Sequence, residues 1–73
     1  MRILVVTLDV MLGDQRHPKY FRTVDFQVRK NILTGEFTFS EEQLKEFVYE
    51  KYPSLKDKQW YVAIDRTRYI TTN

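Results

Sequence analysis

Three aspartates, Asp9, Asp25 and Asp65, occupy strand-like segments at positions that alternation directs to one shared face. Two or three carboxylates converging there would hold Mg²⁺ for phosphodiester chemistry. No general base accompanies them, and aspartates on a solvated sheet face also discourage edge pairing and aggregation, which is the reading the sequence favours. His17 is the single histidine and stands beside Pro18 in a polar stretch. A serine triad would have to combine it with Ser40 or Ser54, yet Ser40 stands where a helix cap belongs and Ser54 follows Pro53 in a turn. With no cysteine, thiol nucleophiles, disulfides and most structural zinc sites are removed. Gly13 and Gly35, the two glycines, lack the neighbours that a phosphate-cradling loop requires. The expectation is a protein that is not an enzyme, with no catalytic residue, cofactor or metal.

A second chemistry comes from cations interleaved with aromatic rings. The segment Arg16-His17-Pro18-Lys19-Tyr20-Phe21-Arg22 is followed elsewhere by Arg29, Lys30, Arg66, Arg68 and Tyr69. Such mixtures suit single strands, because bases stack on rings while phosphates meet Arg and Lys. The candidate nucleic-acid contacts are Arg16, Lys19, Tyr20, Arg22, Arg66 and Arg68. The formal charge is only +2, from twelve Lys/Arg against ten Asp/Glu, and the signs are interspersed rather than gathered into the stripe of a duplex-DNA binder. Nucleic acid is thus the alternative partner.

The elements that must position these residues are well marked. Residues 2–12 read as a strand with Leu4, Val6, Leu8, Val10 and Leu12 on its core face and Ile3, Val5, Thr7, Asp9 and Met11 on the other. Residues 13–19 contain Gly and Pro and read as a hairpin loop. A second strand, about 20–30, alternates Val24, Phe26 and Val28 with polar residues. A short extra strand at 36–39 is an option. Ser40 with Gln43 forms a capping-box pattern, Phe39 and Leu44 stand where a hydrophobic staple needs them, and Leu44, Phe47 and Val48 repeat at helical spacing, so a helix is predicted over 41–51. Pro53 ends it. The last main strand is expected at 59–65 with Trp60, Val62 and Ile64 toward the helix, and 66–73 as a tail that turns back or frays.

These elements give a small α+β fold, one domain over 1–73, of order ββαβ(β): a mainly antiparallel sheet of three or four strands with one helix on one face. A hairpin followed by a crossing helix and a returning strand places the last strand beside the first and parallel to it, an order similar to the opening half of β-grasp folds. A 73-residue chain buries only about 60% of its unfolded surface, so association is the expected supplement to its stability. One helix covers one sheet face, which leaves Ile3, Val5, Tyr61 and Ala63 without cover and makes them the expected protein interface. Residues 3–8 are too short an apolar run to span a bilayer and no leader pattern opens the chain, so the reading is cytoplasmic. The lead function is a non-enzymatic protein-binding module, self-associating, of the size of phage or mobile-element accessory proteins and inhibitors.

Overall fold

The alternating apolar run near the start of the chain becomes β1, Arg2–Leu12, the central strand of a three-stranded sheet. On one side it pairs with β2, Lys19–Arg29, and on the other with β3, Trp60–Thr71. The computed structural model describes residues 1–72. Gly13 opens the hairpin loop at φ +84°, where a Cβ would lie 2.7 Å from the His17 carbonyl oxygen, so this position demands glycine. Asp14 then accepts hydrogen bonds from the backbone N–H groups of Arg16 and His17, each at 2.9 Å, and closes the loop.

The helix α1 spans Glu41–Lys51 as its caps predict. The Ser40 hydroxyl accepts from the Gln43 N–H at 3.1 Å, and the Gln43 side-chain oxygen accepts from the Ser40 N–H at 2.8 Å. Leu44 and Val48 are buried against Val6, Leu8, Val10, Val24 and Val28, and the short 3-10 turn Pro53–Asp57 adds Leu55 to that core. Eleven helical residues rise about 16 Å, whereas eleven strand residues cover about 37 Å. Aromatic pairs complete the face that the helix cannot span: Phe37 on Tyr69, Phe39 and Phe47 on Phe26, Tyr52 on Phe21 and Tyr49 on Trp60. Phe47 and Trp60 are half-buried. Ile64 shares the core side of β3 but lies outside this cover and is 57% exposed.

Three expectations are corrected. First, β3 runs antiparallel to β1, with Leu12 opposite Trp60 and Arg2 opposite Thr71. The aromatic contacts give the reason. Phe37 lies beside Tyr69 near the start of β1, Phe26 holds the middle, and Tyr52 meets Phe21 at the hairpin end. The segment from Phe37 to Tyr52 therefore climbs the whole sheet, and the residues before β3 are taken up by the 3-10 turn Pro53–Asp57 at the hairpin end instead of returning to the start of β1. Second, residues 66–71 do not turn back; they continue β3 past a register shift between Thr7 and Leu8, beside Asp65. The backbone ladder extends to the ends, where Met1 and Thr72 exchange hydrogen bonds of 2.8 and 2.7 Å. Third, residues 36–39 form no strand, and the sheet has three strands among the described residues.

Candidate functional site

The open face of the sheet is built from rows set by register. Row by row it carries Arg29–Ile3–Ile70, Gln27–Val5–Arg68, Asp25–Thr7–Arg66, Thr23–Asp9–Ala63 and Tyr20–Met11–Tyr61. Ile3 and Val5 were expected to lie bare, but they are only 7% and 2% exposed. In the register Ile3 is flanked by Arg29 and Ile70, and Val5 by Gln27 and Arg68, side chains long enough to shield a central row from the sides. Ile70, part of the continuous β3, closes the row beside Ile3. Of the four expected interface residues, Tyr61 is half-buried and Ala63 exposed, and both sit toward the hairpin end beside Met11.

The aspartates on this face are committed to neighbours. Thr7, buried on the central strand, donates its hydroxyl hydrogen to Asp25 at 2.7 Å, and Arg68 reaches the other Asp25 oxygen at 3.4 Å. The Thr7 hydrogen bond, followed by the Arg68 guanidinium and more distantly Arg66, holds the Asp25 carboxyl below its ordinary value against an opposing desolvation. Asp9 accepts from the Thr23 hydroxyl at 2.8 Å, which leaves Thr23 to accept from Tyr20 at 2.8 Å. No group of three acidic or histidine side chains able to hold a metal occurs among the described residues.

The candidate nucleic-acid contacts do not form one surface. Tyr20, Arg66 and Arg68 lie on the open face, Arg68 beside Asp25. Arg22 folds its guanidinium over Phe21, which faces the helix side, and Arg16 and Lys19 belong to the hairpin loop end.

A different feature stands out at the opposite end. The turn 31–36 after β2 carries Ile32 and Leu33, 93% and 91% exposed. This turn is tightly built. The Asn31 side chain accepts from the N–H groups of Leu33 and Thr34, the Asn31 carbonyl accepts from Gly35, and the Asn31 N–H donates to the Glu36 carbonyl at 2.8 Å. Gly35, at φ +75°, makes that last reversal possible. Beside the tip runs a groove of about 560 Å³, lined by Met1, Phe37 and Ile32 with Arg2, Arg29 and Lys30 along it. The sequence signal for this site was two adjacent aliphatics inside a turn, off any strand or helix period; reading the segment only as a turn passed over it.

Another groove, of about 400 Å³, separates α1 from β3, with Leu44, Tyr49, Trp60 and Val62 in its wall. On its charged rim Lys45 pairs with Glu41 at 3.6 Å, while Lys58 forms no ion pair among the described residues. No helix among the described residues is long and apolar enough to cross a membrane. The chain matches no family model, no curated protein and no solved structure.

Proposed function

We propose that this chain is a small, cytoplasmic, non-enzymatic module that acts by stoichiometric binding to another protein, in the manner of phage or mobile-element accessory proteins and inhibitors. The observation that carries the reading is the Ile32–Leu33 tip. Two adjacent aliphatics more than nine-tenths exposed contribute nothing to the core, and the turn that presents them is already ordered by four hydrogen bonds. A pre-ordered apolar projection loses little conformational freedom on binding, which is how interface anchors gain affinity. Self-association belongs to the other end of the open face, where Tyr61, Ala63, Met11 and Tyr20 adjoin one another.

The test is capture of partners from source cells with the parent chain and with the Ile32→Ser/Leu33→Ser variant, followed by native mass spectrometry. The reading expects a complex of fixed stoichiometry that resists nuclease and disappears with the variant. Identical capture by a correctly folded variant would remove the tip from function.

A second reading, single-stranded nucleic-acid binding, is favoured by one observation: Tyr20 and Tyr61 flank Met11 on the face that also carries Arg66 and Arg68. Rings and cations on one open sheet suit base stacking with phosphate contact. Salt-dependent retention on single-stranded DNA or RNA, lost in Tyr20→Ala/Tyr61→Ala, would establish it.

A further inference from the structure

We infer that the partner surface recognised by the Ile32–Leu33 end is an acidic polypeptide segment with apolar side chains at its centre. The inference rests on the protein-binding reading above and specifies the chemistry of the partner. Arg2, Arg29 and Lys30 border the groove beside the tip, and none of them forms an ion pair among the described residues. Arg2 instead lies over the Tyr69 ring at 4.4 Å, which holds its guanidinium in place without neutralising it. The carboxylate nearest in sequence, Glu36, pairs with none of the three. This end of the molecule is therefore apolar at its apex and cationic around it.

Shape and charge together select the occupant. A convex knob, Ile32 with Leu33, adjoins a concave apolar groove walled by Ile32 and Phe37. An apolar apex ringed by cations also suits an anionic lipid surface; the groove of about 560 Å³ beside it, which a projecting side chain fills and a fluid headgroup layer does not use, favours a polypeptide. Nucleic acid fits poorly, because branched aliphatics offer no flat face on which a base can stack. A second copy of this chain has the right shape, since knob and groove could exchange across a two-fold axis. Its charge is wrong: such a contact would bring two sets of Arg2, Arg29 and Lys30 together, and like charges juxtaposed at an interface are strongly unfavourable. An acidic partner neutralises the cations, and its apolar centre buries the two aliphatics.

The experiment is selection of random twelve-residue peptides displayed on phage against the full chain. The expected result is enrichment of peptides with two or more large apolar residues flanked by Asp or Glu. The best of these, made synthetically, should lose affinity at least about tenfold with Ile32→Ser/Leu33→Ser. It should lose affinity comparably with Arg29→Glu/Lys30→Glu, and bind more weakly as salt is raised. Both variants should melt as the parent does. Apolar peptides without acidic bias, lost with the tip variant but indifferent to Arg29→Glu/Lys30→Glu, would overturn the acidic assignment and leave the protein-binding reading standing. Selected peptides that bind the tip variant as well as the parent would overturn both. So would tip-dependent retention on phosphatidylserine vesicles without peptide enrichment.

Discussion

Val5 and Ile32 are both branched aliphatics outside the layer that the helix covers, yet one is 2% exposed and the other 93%. The difference lies in what stands beside each. Val5 occupies the middle strand of three, with the long side chains of Gln27 and Arg68 on either side of it in the register. Ile32 occupies the apex of a turn, with no strand on either side of it. In a narrow sheet, cover can come sideways from long polar side chains as well as from a second layer. An aliphatic residue on an open sheet face is thus weak evidence for an interface, whereas one at the apex of an ordered turn is much stronger.

The sharpest way to break this contrast is to charge the covered residue. Val5→Lys should destabilise the folded monomer by about 3 kcal/mol, because the ammonium enters a filled row next to Arg68. A melting temperature equal to the parent's, with only a change in sedimentation mass, would mean that Val5 is covered by a second copy. A smaller loss is expected for Asp25→Ala, since the buried Thr7 hydroxyl then loses its carboxylate acceptor. An unchanged denaturant midpoint in that variant would show that the Thr7–Asp25 bond does not hold the row together.

Protonation tests the same bond more gently. Asp25 has its pKa lowered from 3.8 in the fold, so its ionised form stabilises the protein above about pH 4. That contribution is lost as pH falls through the lower folded value. Asp25→Asn should flatten this part of the stability curve, as read from thermal melts taken between about pH 5 and 2. The smallest effect is expected at the tip, where Ile32→Ser/Leu33→Ser should change stability by less than about 0.5 kcal/mol. A large destabilisation there would place the two residues inside a packed cluster and remove the contrast with Val5.

These outcomes also bear on what the sequence discloses. Ser40 with Gln43, and Leu44 with Val48, mark the helix through local chemistry, and the structure realises each contact. Leu4 through Leu12 disclose their core face because alternation is a local property. The direction of β3 is not local. It depends on how far the segment from Phe37 to Tyr52 travels along the sheet, which follows from aromatic pairs far apart in the chain, such as Phe37 with Tyr69. The length of β3 was hidden by Asp65, whose bulge breaks the alternation and makes residues 66–71 resemble a tail. At the candidate site, Ile32 and Leu33 were legible as aliphatics in a turn, but the accompanying groove exists only once Met1, Arg2 and Phe37 are brought beside them.

The antiparallel course of β3 has a mechanical consequence. Met1 and Thr72 sit side by side at one end of a molecule 39 Å long, and β1 and β3 lead away from them together. A pull applied between these two ends loads the β1–β3 ladder one rung at a time, as a zipper opens. A parallel β3 would have placed the ends at opposite edges and loaded every rung in shear. In a single-molecule tether this chain should therefore peel from Thr71 toward Trp60 at low force, releasing Arg68 from Asp25 well before the hairpin end of the sheet is disturbed.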